Sequence, residues 1–448
     1  MTFERDQPAG EDNSAALNER ESQQHTQRPV ISGWRRVASI LGPGIITASA
    51  GNDAGGIATY AQAGAQWKYN FIWLMVVITF CLIIVQEMCA RMGAVTGKGL
   101  SDLIREKFGP RWTLFAVLAI LIANGGTVVT EFAGIAAALE LVGVTRYISV
   151  PLMAFVLWWL VVKGTYGRVK TIFLVFSMVF LTYIPAAFIS HPHWREVGMS
   201  TIHPAFYWRQ SAYTLALVAL IGTTITPYMQ IMLQSSVAEE GVTAAEYPRG
   251  EKWDTILGCI YSDIISVFII VATAVALFHL PAGSVQVKDA GAAAQALRPV
   301  AGPLTVYLFA LGLFGASVLA GAVLPLATSY SVCESLGFQT GLDNDFRDAK
   351  VFYILFTGLL FGGAAIALIP GIDPLRLMYY VQAIEGCILP IILIFIMLII
   401  NDSEVMTTLR NGPVFNFLAW TTTVAVSVVA FAYLLMTYVL PLFGVKFG

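Results

Sequence analysis

Charge is scarce in this chain: Asp, Glu, Lys and Arg make up 12% of its 448 residues, about half the share of a soluble domain. With 57% hydrophobic residues, that scarcity excludes a water-soluble globule. Cysteine is sparse too. Cys81, Cys89, Cys259, Cys333 and Cys387 all fall inside or at the ends of apolar runs and form no CxxC pair, which argues against a disulfide framework or a zinc site. There is no HExxH, no nucleophile motif and no cofactor loop, so the sequence predicts neither an enzyme nor a bound cofactor. Nothing points to a nucleic-acid partner. Residues 1–33 are rich in Gln, Asn, Glu and Arg and lack an apolar core, which excludes a signal peptide and predicts a disordered cytoplasmic tail.

What the chain has instead is long apolar runs. A membrane-crossing helix needs about 20 largely apolar residues, and the hydropathy pattern predicts eleven such spans, at 38–64, 70–95, 112–141, 147–164, 169–190, 211–236, 255–279, 303–336, 349–369, 373–400 and 414–440. Their continuity excludes a β-barrel, whose strands alternate over about ten residues. Most of the 26 Lys and Arg fall in the tail and in the loops on its side of the membrane. By the positive-inside rule the N-terminus is cytoplasmic and the C-terminus external, with the lipid bilayer of a cell membrane as the surroundings and a monomer as the expected state.

Two spans are interrupted. Gly51-Asn52-Asp53-Ala54-Gly55-Gly56 breaks the first, and Gly222-Thr223-Thr224-Ile225-Thr226-Pro227 breaks the sixth. Gly and Pro are common in membrane helices, where neighbours absorb their cost. Matched breaks at corresponding places in two halves, however, point to the central site of a transporter. The sequence therefore predicts an all-α polytopic membrane protein with helices 1–5 over 34–190, helices 6–10 over 211–400, and an eleventh helix at 414–440.

Asp53 lies mid-span, where an acid costs about 2.5–3.5 kcal/mol on insertion scales. The flanking glycines let the backbone leave helical geometry, so that freed carbonyls face the carboxylate. Carboxylate plus carbonyls suits a hard divalent cation; a structural, protonated or paired aspartate is the alternative. Thr223, Thr224 and Thr226 add oxygens, and Pro227 removes the amide that would otherwise bond the Thr223 carbonyl. Neither break contains Cys, Met or His, although Met229 follows Pro227 by two residues.

Leu41-Gly42-Pro43-Gly44 followed by Asp53-Ala54-Gly55-Gly56 resembles the Nramp proton-coupled metal transporters. Gln86 through Ala94-Val95-Thr96-Gly97-Lys98, and Gln382 to Pro390, match that family in order and spacing. The resemblance runs from about residue 38 to 400 and implies the LeuT-like fold of two inverted five-helix repeats. It carries Asp53 over as a metal ligand, Thr223 as a backbone-carbonyl donor and Gln382 as a residue near the ion. Where the family has Asn, Met and His, this chain has Gly56, Thr226 and Tyr228, which carry over as positions only. That pattern is similar to the Nramp-related magnesium transporters.

Loss of the thioether removes the preference for Mn²⁺ and Fe²⁺. The smaller residues widen the site, which suits a Mg²⁺ ion that keeps several waters. Mg²⁺, with Mn²⁺ also passing, is thus the expected cargo. The first acid of the family's helix 3 pair is Val128 here, while Glu131 remains. With Tyr228 in place of the histidine, the proton relay looks cut and uncoupled uptake is expected. A proton-coupled Mn²⁺ or Fe²⁺ symporter and a sodium-coupled amino-acid carrier on the same scaffold are the rival readings.

Other residues divide between roles. Glu87 reads as an ion pair with Arg91 one turn away, and Glu385 as structural. Glu131 and Asp263 line a cavity or the bundle interior. His191, His193 and His203 form either a metal antenna or a solvated loop, and 285–298 a short external amphipathic helix that is either a gate or merely a connector.

Overall fold

A backbone in lipid has no water to bond, so it must satisfy its amides internally, and uninterrupted apolar runs become helices. The computed structural model describes residues 42–164, 166–207, 210–278, 290–342, 346–370 and 374–439; the predicted tail at 1–33 lies outside them. The first span is two helices, α1 (Pro43–Ala50) and α2 (Ala54–Trp67). After it come α3 (Ile72–Thr96), the short α4 (Leu100–Phe108), α5 (Pro110–Glu140), α6 (Arg146–Lys163), α7 (Tyr166–Val179), α8 (Tyr183–Ile189) and α9 (Trp194–Ile202). The sixth span is α10 (Ser211–Thr224) and α11 (Pro227–Glu239). The rest are α12 (Glu251–Leu277), α13 (Ala290–Leu336), α14 (Lys350–Ala367), α15 (Pro374–Ile400), α16 (Ser403–Met406) and α17 (Pro413–Leu434).

Ten helical stretches among the described residues are long and apolar enough to cross a membrane; the broken pair α1/α2 adds the remaining crossing. The chain is an all-helical, multi-pass membrane protein; counted with that pair, the described residues hold eleven spans, of which the first and sixth are broken. Large apolar side chains stay exposed on α3, α5 and α17, among them Phe80, Ile122, Phe417 and Phe431, as a lipid-facing surface requires. The connector before the eighth span bends away from it at Gly302, whose φ is 79°. Residues 285–289 of the predicted amphipathic helix lie outside the described residues, and 290–298 are helical.

Small residues set how closely the central helices approach, because lipid gives no hydrophobic drive between them. α12 packs along both α1 and α2, α10 against α15, α11 against α3, and α5 against α13. A methyl on Gly44 would press to 2.5 Å of the Thr255 backbone, and one on Gly258 to 2.7 Å of the Gly44 carbonyl. The α1–α12 contact is therefore backbone on backbone. Asp254 completes it: its carboxylate accepts from the Gly42 amide at 2.9 Å and the Gly44 amide at 2.7 Å. Those are donors at the start of α1, where the helix dipole favours a negative charge. Beside them Lys170 of α7 pairs with Glu240 at 2.6 Å.

Candidate functional site

The site forms where both broken helices lose their ladders. α1 ends at Ala50, and the chain turns through Gly51 and Asn52 into an extended Asp53 (φ −65°, ψ 175°). Asp53 is then the N-cap of α2, accepting from the Gly56 amide. Asn52 points the other way, into α12: its amide donates to the Ser262 carbonyl and hydroxyl at 3.0 Å each, and Ser266 donates back at 2.7 Å. This anchor keeps the break open toward Asp53. Glu131 of α5 accepts from the Ala54 amide at 3.1 Å, so two carboxylates cap the first turn of α2. The partial positive charge there lowers the cost of burying them.

The second break faces the first. Thr224 meets Tyr60 of α2 at 3.0 Å between hydroxyls, and Tyr228 of α11 donates to the Ala50 carbonyl at 2.6 Å. From α15, Gln382 donates to both Asp53 oxygens, at 3.1 and 3.2 Å. Its amide nitrogen lies against Gly55, where any side chain would collide with it. A Cβ at Gly56 would lie 2.7 Å from the Thr223 hydroxyl, 3.0 Å from the Gly51 carbonyl and 3.1 Å from Asp53 Oδ1. Three oxygens from both breaks thus converge where the missing side chain would stand. The Thr223 hydroxyl and the Gln382 amide oxygen have no hydrogen-bond partner among the described residues.

Of the six residues singled out as the metal site, Asp53, Gly56, Thr223 and Gln382 meet at one place, Tyr228 bonds the Ala50 carbonyl beside it, and Thr226 stands at the N-cap of α11. Asp53, Thr223, Thr226, Tyr228 and Gln382 are fully buried and Gly56 is buried with them. Thr223 offers its hydroxyl, where the resemblance implied its carbonyl. Tyr228 serves the site indirectly, holding the Ala50 carbonyl. One feature differs from the expectation of a site without soft atoms. Met229 is fully buried, and its sulfur packs on Gly51, 2.7 Å from where a Cβ would be; one helical turn past the break was enough to bring it back.

Among the remaining acids, Glu87 pairs with Arg91 at 3.0 Å. Glu385 accepts from Thr127 at 2.6 Å. Asp263 is buried on α12. His191, His193 and His203 are exposed, and among the described residues no three His, Cys, Asp or Glu gather to hold a metal. The Asn52 anchor and the Asp254 clamp were not anticipated. Polar residues placed a turn apart on α12, Ser262 and Ser266, were the available signal for the first.

Two facing broken helices around a buried carboxylate, on this order of crossings, define a transporter of the LeuT-like fold rather than an enzyme. The family model for natural resistance-associated macrophage protein-like chains (Nramp) matches residues 44–437, and the chain belongs to that family. It is 27% identical over 412 residues to the divalent metal cation transporter MntH of Deinococcus radiodurans, covering 89% of each chain. Among solved structures, a manganese transporter of Eremococcus coleocola shares its fold with a TM-score of 0.72 at 17% identity, over 90% of this chain and 88% of that one. MhsT in complex with L-phenylalanine has a TM-score of 0.56 at 12% identity, over 88% of this chain and 97% of that one.

Proposed function

We propose that this chain, a divalent-metal transporter of the Nramp family, takes up Mg²⁺ as a partly hydrated ion through the site at Asp53, Gly56, Thr223, Thr226 and Gln382, with Tyr228 positioning the Ala50 carbonyl. The observation that carries the reading is the convergence of the Thr223 hydroxyl, the Gly51 carbonyl and Asp53 Oδ1 at the Gly56 position, within 2.7–3.1 Å of one point. A set of oxygen donors suits Mg²⁺. Mn²⁺, which accepts the same donors, passes as well.

Uptake is uncoupled from protons in this reading. Val128 is buried and packs against Gly363 of α14, so an apolar contact occupies the first acid position of the relay. The Tyr228 hydroxyl is committed to the Ala50 carbonyl. Membrane potential supplies the drive: a divalent ion gains about 4.6 kcal/mol per 100 mV, twice the single-charge value of roughly 2.3. The excess of Lys and Arg at the N-terminal side supports a cytoplasmic N-terminus, an external C-terminus and a place in the cell membrane. The two repeats correspond to 34–190 and 211–400.

Proteoliposomes holding a Mg²⁺-sensitive dye, at set potential, test this. Mg²⁺ influx that grows with inside-negative potential, leaves lumen pH unchanged and vanishes in Asp53→Ala is the expected result. Mn²⁺ entry that acidifies the lumen, without Mg²⁺ flux, would overturn it. That second reading, a proton-coupled Mn²⁺ carrier, draws on the Met229 sulfur beside Gly51 and on the relatives' cargo. Uptake of a labelled amino acid would instead indicate the sodium-coupled amino-acid carrier on the same scaffold.

A further inference from the structure

We propose that Glu385 is a further cargo-binding residue: with the amide oxygen of Gln382 and the Thr127 hydroxyl it forms a second oxygen-donor station, one helical turn along α15 from the Asp53 site. The inference rests on the reading that the cargo is a divalent cation and goes beyond it in assigning a second resting place.

Glu385 is fully buried. One carboxylate oxygen accepts from Thr127 at 2.6 Å; the other has no partner among the described residues. Glu251, Asp263 and Glu334 share that half-satisfied pattern; what sets Glu385 apart is a second open acceptor one turn away, beside Asp53, since a buried acceptor without a donor is costly. Three residues earlier, on the same face of α15, Gln382 gives its nitrogen to Asp53 and leaves its oxygen unpartnered. Two orphaned acceptors therefore stand one turn apart, the first at the edge of the Asp53 site.

Charge points the same way. Asp53, Glu131 and Glu385 are all buried and lie near enough to act on one another electrostatically. None of the ion pairs among the described residues reaches any of them. The three do not form one cage, so a single ion cannot be gripped by all at once, and two adjacent stations fit better. A hydrated divalent cation presents outward O–H donors and double positive charge. It is matched by a surface of acceptors with net negative charge, which Glu385 and Gln382 supply. In the topology proposed above, α15 runs inward from Gln382, so this station lies on the cytoplasmic side of Asp53.

Uptake by the full-length chain in proteoliposomes tests the assignment, using whichever of Mg²⁺ and Mn²⁺ the wild type moves faster, together with the rise in Tm that the same ion gives purified protein. Cargo identity is read from the wild type and this proposal from variant-to-wild-type ratios, so the two fail separately. Glu385→Gln is expected to keep its metal-free Tm, raise KM at least tenfold and lose most of the metal-induced rise in Tm. Glu385→Asp, which keeps the charge but withdraws it by one methylene, should fall between. Wild-type KM and a wild-type Tm rise in the Gln variant would overturn the proposal, as would full recovery in Glu385→Leu. Should the Gln variant not fold, an unchanged KM in the Asp variant overturns it equally.

Discussion

Asp53 holds two duties on one carboxylate, capping α2 through the Gly56 amide while facing the oxygens of the second break. The duties can be separated. Asn caps a helix about as well as Asp, whereas Ala loses about 1 kcal/mol. Asp53→Asn is therefore expected to hold Tm near the wild-type value while abolishing ion uptake, read by dye influx beside a thermal melt. Gly56→Ala fills the point where three oxygens meet. Its expected outcome is a fall in uptake of at least about tenfold, equal to about 1.4 kcal/mol, read beside a thermal melt that reports the cost of displacing Thr223. Met229→Leu decides how far the sulfur beside Gly51 matters. An oxygen site predicts Mg²⁺ uptake within about twofold of wild type, since a Leu-for-Met exchange of similar volume disturbs packing little; a selective loss of Mn²⁺ uptake would favour the second reading.

Among the elements, the two breaks were readable because Gly and Pro act on their own backbone, within a few residues of where they stand. Asp53 was readable for a related reason: a lone acid in an apolar span announces its own cost. What stayed hidden was pairing. Asp254 sits at the start of α12 and reads as an ordinary loop-edge acid, yet its partners Gly42 and Gly44 lie 212 and 210 residues away. Nothing local to either sequence names the other. The same holds for Asn52 with Ser262 and for Glu131 with the Ala54 amide. The spacing of Met229, two residues past Pro227, was visible, but it does not tell which way a sulfur turns. At this scale Asp254→Asn is the informative change. It trades two charge-assisted bonds for weaker ones, so faster amide hydrogen exchange across 44–50 is expected, with α12 itself unchanged.

Across the whole molecule, two arrangements meet at one centre. Helices that carry the breaks supply backbone oxygens and the N-terminal half-charge of α2, while α5 and α15 bring Glu131, Gln382 and Glu385 from outside. The division suits a carrier that rocks one group against the other, because the ion's ligands then come from both sides and loosen when they part. Counter-transport gives the measurement: preloading vesicles with unlabelled Mg²⁺ is expected to speed entry of the labelled or coloured ion, whereas a channel-like pore would show no such acceleration.

The clamp at the start of α1 has its own consequence. Asp254 holds main-chain amides, and a hold of that kind is blind to side chains. A change in α1 that keeps its volume leaves the tether in place, while a single change at Asp254 releases it, or a bulkier residue at Gly44 or Gly258 pries it apart. Fragility is thus lopsided between two helices that touch along their whole contact. A selection for variants that leak while nominally shut would collect substitutions at 254 and 258, the two α12 positions on which that main-chain hold depends.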